Sequence, residues 1–509
     1  MSTAQRVIGN TMWLYLRMGV SIVVNIFTTR ILLEALGASD FGLYNVVGGA
    51  IAMLGFLRAA LTPSTQRFIN YAEGEGLREN VAKIFNNAVA IHLGLALFTV
   101  LFLGTAGIVF FNGVLNIPEG RNGVAIAVYV CMLISTIYSI TVTPYEAVLN
   151  AHENLRFYSI LGISDVVFKL IIAICVAVYG YDRLLLYAIL MAAESWLLRW
   201  VTQAYCKKHY SECRNVSIRK HYDKQVIKEI TSFAGSLLVN TATAMVSLFG
   251  MSVVVNHFFD ATVNAALGVA TQLAGVVMAV STNMVKALTP VLVKREGGGQ
   301  HGQVLAISYV GCKFSYLLVA FVSVPVLLWL PFGVGLWLHE VPEWTVTFCA
   351  ILIIGNMIEQ MTSFLAQPIF AMGKVKAYNL TRSAANILPV LLSIAVFKIG
   401  GFPPYWALLF WCVFRYFVGG IIILYYADRI AGTSLSFFVK SVMAPCLLVT
   451  AIACGVGLVI KASQPSGAIF DLIAILVLVG VSVPVYWFLA LNAQERAQLR
   501  TIGHSMLKR

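Results

Sequence analysis

Several charged residues stand inside stretches of sequence that are otherwise apolar. Arg17, Arg58, Lys286 and Arg382 lie within a few helical turns of the ends of such runs, and Lys313 and Arg415 lie nearer their middles. A charge held at that depth in hydrocarbon costs about 3 kcal/mol even on lenient scales, so it faces a bundle interior or a watery cavity and needs a partner. The acids in comparable positions are Asp165, Glu194 and Glu359. Asp165 and Lys169 are spaced to pair on one helical face, and Glu194 can approach Arg199. Arg30 and Arg199 are close enough to run ends to snorkel outward. That leaves Arg17, Arg58, Lys286, Lys313, Arg382 and Arg415 in excess. If they converge, they make a cationic cavity. Phosphate is its natural ligand, because arginine grips phosphate oxygens in pairs and lysine serves as a point charge. Glu359, with no obvious local partner, and Asp165 are candidates for Na+ or H+ coupling. No residue set suggests a resident metal or organic cofactor.

The elements that carry these residues are membrane helices. Of 509 residues, 59% are hydrophobic and 11% charged, and the mean hydropathy is +0.84. That composition belongs to an integral membrane protein. Apolar runs near twenty residues number about fourteen, which predicts an all-α chain of about fourteen transmembrane helices. The first is read as an uncleaved span. The net charge of +13 has no basic domain or stacking aromatics behind it, which excludes a nucleic-acid partner. Lys and Arg instead alternate between connections. Arg67, Lys83, Arg156, Lys294, Arg295, Lys374 and Arg429 fall on one side, with the tail residues Arg496, Arg500, Lys508 and Arg509, while Arg121, Arg183, Lys398 and Lys461 fall on the other. The positive-inside rule then places both termini in the cytoplasm of a multi-pass plasma-membrane protein. The nine cysteines have no zinc or disulfide spacing and read as buried apolar residues.

The segment "ALTP" recurs, at Ala60 to Pro63 and at Ala287 to Pro290. Pro144 and Pro368 recur at nearly the same offset from the first pair. These matches predict two six-helix lobes, 1–206 and 229–430, joined by a basic cytoplasmic linker at 207–228 and followed by two extra helices and a tail at 431–509. Because six is even, the lobes are parallel repeats with pseudo-symmetry about an axis along the membrane normal. The four prolines are expected to mark helix ends, with gating bends as the alternative. His92 is read as a hydrogen-bonded core residue, and the tryptophans near span ends as interfacial belts.

The stretch "NTMWLYLRMGVSIVVNIFTTRILLEALGASDFGLYNVVGGAIAMLGFL", from Asn10 to Leu57, resembles the opening of polysaccharide transporters of the Wzx-type O-antigen flippase kind. These belong to the multidrug/oligosaccharidyl-lipid/polysaccharide exporter superfamily, whose fold is MATE-like. The segment "LGASDFGLYNVVGG" carries most of the resemblance, and "TPYEAVLNAHENL" adds to it. The resemblance implies transfer of an undecaprenyl-diphosphate-linked oligosaccharide, an O-antigen or capsule repeat unit, from the inner to the outer leaflet of a bacterial inner membrane by alternating access. It also implies polysaccharide polymerase and chain-length proteins as partners. Related lipid II flippases carry essential arginines on their first, second and eighth helices, which points to Arg17, Arg58 and, with lysine in place of arginine, Lys286. The sibling multidrug exporters often carry a carboxylate in the first helix, where this chain has Arg17 and Arg30 and no acid between Met12 and Leu33. A polysaccharide polymerase or ligase would need a large external loop with paired carboxylates, and the connections here are short. There is no GxxxxGK[ST] phosphate loop for ATP. The expectation is a transporter and no enzyme.

Overall fold

A computed structural model describes residues 3–52, 55–111, 117, 120–338, 340–493 and 495–497. The described chain is helical throughout and forms two compact units, one of residues 8–238 and one of 239–509 with 1–7. Among the described residues, thirteen helical segments are long and apolar enough to cross a membrane. Their outward faces carry large apolar side chains such as Leu101, Ile108, Val253, Leu476 and Phe488, the surface a lipid solvent requires. The chain is a multi-pass membrane protein. The tail residues Arg500, Lys508 and Arg509 lie outside the described residues.

In the N-terminal unit, α1 (Thr3–Ala52) contains the first span and turns sharply at Gly37. Gly37 has φ 75° and ψ 164°, a region open to glycine alone. The second span is divided between the part of α1 beyond Gly37 and α2 (Gly55–Gly74), and α2 carries Arg58, Arg67 and Glu73. Replacing Gly37 with alanine is expected to lower the thermal midpoint in detergent by forcing a Cβ into that conformation, at a cost of about 1–3 kcal/mol. An unchanged midpoint would mean the turn relaxes freely. The unit continues with α3 (Arg78–Val109), α4 (Asn122–Ala151), α5 (Leu155–Val178) and α6 (Arg183–His209).

At one end of this unit Arg121 joins three elements. It bonds Asp40, just after the Gly37 turn, and bonds Asp182 at 2.5 Å, the residue that caps α6. Asp40 belongs to the "LGASDFGLY" stretch, so that stretch builds a turn and its clamp. At the other end, the basic segment 207–228 is pinned to the unit. Asn86 accepts from the Ser217 amide at 2.7 Å, and Asn87 accepts from the Asp223 amide at 3.0 Å and donates to the His221 carbonyl at 2.8 Å. Cys213 is fully buried. Lys83 pairs with Asp223 at 2.5 Å and holds its carboxyl below the usual range. Polar anchors on α3 pin the segment, a strap that contains the short α7 (Ile218–His221) and keeps its cations Lys207, Lys208, Arg214, Arg219 and Lys220 exposed.

From the strap, α8 (Lys224–Phe258) runs into the C-terminal unit. There follow α9 (Ala261–Gly297), α10 (His301–Leu328), the short α11 (Leu330–Trp337), α12 (Thr345–Thr362), α13 (Ala366–Met372) and α14 (Lys376–Ile399). The twelfth span is α15 (Tyr405–Trp411), a π-helical stretch Cys412–Val418 and α16 (Gly419–Ala431). The last two spans are built on α17 (Leu435–Phe438), α18 (Ala444–Ser463) and α19 (Ala468–Val485).

The prolines are not helix stops. Pro63, Pro144 and Pro290 lie inside α2, α4 and α9, and Pro368 lies inside α13. Threonine precedes the first three, and each hydroxyl donates to the carbonyl four residues back: Thr62 to Arg58 at 2.9 Å, Thr143 to Ser139 at 3.0 Å and Thr289 to Val285 at 2.8 Å. Each hydroxyl reaches the carbonyl one residue before the one its proline leaves without an amide donor, a back-bond that favours a bend while the helix continues.

Candidate functional site

The N-terminal unit encloses a polar chamber of about 660 Å³, lined by Arg58, Ser135, Thr136, Ser139, Asp165, Lys169, Glu194 and Arg199 among apolar neighbours such as Tyr44 and Met132. A smaller space of about 190 Å³ shares Arg58, Asp165 and Arg199 with it and adds Arg17, Glu146 and Tyr158. Five helices therefore contribute charge to one place: α1, α2, α4, α5 and α6.

Each charge is held by identifiable neighbours. Arg58 donates to the Ser139 hydroxyl and to Glu146 Oε2, both at 2.5 Å. Lys169 Nζ lies 2.8 Å from Asp165 Oδ2, as the spacing on α5 predicts. Arg17 lies over the Tyr158 ring, 4.7 Å from its centroid. The next turn of α5 makes room for it, since a Cβ at Gly162 would fall 2.0 Å from Arg17 Nε. Arg199 does not snorkel. Its guanidinium donates to Ser195 Oγ at 2.7 Å and to Ser139 Oγ at 3.1 Å. Glu194 is 7% exposed and shares an electrostatic neighbourhood with Asp165, Lys169 and Arg199. Arg30, by contrast, is exposed and pairs with Glu34 at 3.1 Å.

Glu146 is absent from the acids singled out by sequence. It follows Pro144, which was taken to end the helix, and α4 instead continues to Ala151. The signal for it was the cation excess itself.

The six cations grouped by sequence divide between the units. Arg17 and Arg58 belong to the N-terminal one, and Lys286, Lys313, Arg382 and Arg415 to the C-terminal one. Lys286 is half-buried on α9. Two others are not free charges. Lys313 Nζ lies 2.8 Å from Glu495 Oε2, and their side chains are only 4% and 9% exposed. Arg382 donates to Glu359 Oε1 at 2.8 Å. Glu359 therefore has a tethered counter-ion where the sequence showed none, because its partner lies on α14 and not on its own helix. Gly419 makes the close approach possible, since a Cβ there would fall 1.5 Å from Arg382 Nη1. Arg415 sits in the π-helical stretch against the rings of Trp411 and Tyr416. A π turn commonly re-aims a side chain at a functional site.

A polar knot in the C-terminal unit also escaped the sequence. Gln360 Oε1 accepts from Ser281, from Ser315 at 2.9 Å and from Ser363 at 3.0 Å, which ties α9, α10 and α12 together. His92 fits its expected role as a core residue, with Nδ1 2.8 Å from the Ala88 carbonyl.

No family model matches the sequence, and no curated protein matches it. Solved structures do share the fold. An outward-facing multidrug resistance MATE family transporter of the MOP superfamily superposes with a TM-score of 0.74 at 11% identity, covering 85% of this chain and 96% of that one. A MATE in the straight conformation gives 0.73 at 12% identity, covering 85% and 97%. A MOP superfamily transporter from Pyrococcus furiosus, described as having a binding pocket of reverse polarity, gives 0.71 at 11% identity, covering 85% and 96%. The chain has the MATE-like fold.

Proposed function

We propose that this protein is a membrane transporter that moves an undecaprenyl-diphosphate-linked oligosaccharide, such as an O-antigen or capsule repeat unit, from the inner to the outer leaflet of a bacterial inner membrane by alternating access. One observation carries the reading: Arg17, Arg58 and Arg199, from three helices, line two spaces of the N-terminal unit that share Arg58, Asp165 and Arg199, the larger of which also has Lys169. Across the two spaces four cations face three carboxylates, Glu146, Asp165 and Glu194, so together they are formally cationic. The hydroxyls of Ser135, Thr136 and Ser139 add donors suited to sugar or phosphate oxygens. Lys286 and Arg415 are the further candidates for diphosphate contact. In this reading both termini are cytoplasmic, and the glycan polymerase and chain-length proteins act on the delivered product.

A cation-coupled multidrug exporter is the second reading. The buried Glu194 favours it, because its Oε1 has no hydrogen-bond partner among the described residues and is suited to take up H+ or Na+. Glu359 is the weaker coupling candidate, since Arg382 already neutralises it.

Proteoliposomes separate the two readings. A fluorescent undecaprenyl-diphosphate sugar is expected to change leaflets at a protein-dependent rate, while a cationic dye is not transported. Dye transport driven by an ion gradient, without movement of the glycolipid, would favour the exporter.

A further inference from the structure

A second cluster of chemically active side chains lies away from the chamber, where α2, α4 and α6 end. Glu73 is in the last turn of α2, His152 caps α4, and Glu212 sits in the single 3-10 turn Ser211–Cys213 that opens the strap. His152 Nε2 is 2.6 Å from Glu212 Oε1, and His152 Nδ1 is 3.2 Å from Glu73 Oε1. One ligand atom from each of the three residues lies within 4.8 Å of the other two.

We propose that Glu73, His152 and Glu212 form a binding site for a divalent transition-metal ion of the zinc or manganese class. One imidazole and two carboxylates are a ligand set that such ions accept, with water completing the shell. Two carboxylates with side chains only 16% and 9% exposed face the ring, so a cation there would meet oxygen ligands largely screened from solvent. The surroundings hold the ligands in place. The Tyr210 ring stacks on His152 at 4.2 Å with an interplanar angle of 1°, and Asn154 fixes Tyr210 through its hydroxyl at 3.2 Å. The Ser211 hydroxyl donates to Glu212 Oε2 at 3.3 Å. Outer contacts of this kind orient metal ligands. A bound ion would staple the strap to the ends of α2 and α4. The inference is independent of what the chamber carries.

The test uses full-length protein in detergent, stripped with a chelator and titrated with Co2+, read by its visible absorption, and with Zn2+, read by calorimetry. One saturable equivalent is expected. His152→Ala and Glu212→Gln are each expected to weaken it about tenfold or more, while Glu75→Gln, an exposed neighbouring acid, leaves it unchanged. Absence of saturable binding to the wild-type protein would overturn the proposal and leave a protonated His152 bridging two carboxylates. Binding that persists unchanged in both variants would also overturn it.

Discussion

Arg58→Met is expected to reduce glycolipid transport about a hundredfold, and adding Glu146→Met is expected to restore stability without restoring transport. The physical basis is the pair between α2 and α4, with side chains 33% and 21% exposed. Removing the guanidinium alone takes from Glu146 its direct ion-pair partner. Because a third of the arginine is exposed, the stability cost is about 1–2 kcal/mol, below that of a fully buried pair. The double variant removes both charges, so a purely structural role for Arg58 predicts recovery of both properties. A role in holding an anion predicts recovery of stability only, because no remaining group replaces the bidentate donor. Normal transport by the double variant would remove Arg58 from the substrate path.

Lys313→Met is expected to give the largest loss of stability among the charged residues considered. Lys313 and Glu495 join α10 to the end of the chain. Cys446 and Thr450 of α18 also reach α10, the former to the Lys313 carbonyl at 4.0 Å and the latter to Tyr316 at 3.2 Å. Breaking a pair at this burial leaves Glu495 uncompensated and costs about 3–5 kcal/mol. Lys313→Met with Glu495→Met should recover most of it, since a buried pair is readily replaced by apolar side chains of similar volume. Thermal unfolding in detergent, with limited proteolysis of the two final helices, checks both steps. Transport is expected to survive in the double variant. Loss of transport from a stable double variant would return Lys313 to the substrate-binding group.

What sequence made legible follows from the range of the forces involved. Membrane helices announce themselves through local hydropathy, and the Asp165–Lys169 pair through spacing on one helix. Gly37 could be read as part of a family-like stretch, but its left-handed turn needed the backbone. Partners across helices left no local trace. Glu146 for Arg58, Glu495 for Lys313 and Arg382 for Glu359 are separated by 88, 182 and 23 residues. The cation excess was therefore overestimated, although the chamber that retains it does contain Arg17 and Arg58. Proline misled because its usual effect in water was applied to membrane helices, which tolerate it inside a span. The strap's exposed cations were legible in composition, while its anchoring by Asn86 and Asn87 was not.

Flipping of a fluorescent undecaprenyl-diphosphate sugar by Arg17→Ala, at matched amounts of folded protein, tests the central claim most directly. Arg17 rests on the Tyr158 ring and over Gly162, so its removal is expected to leave folding nearly intact. The account predicts that the flipping rate falls at least tenfold while the thermal midpoint stays near that of wild type. A variant that flips at the wild-type rate would contradict a cationic chamber that holds the diphosphate.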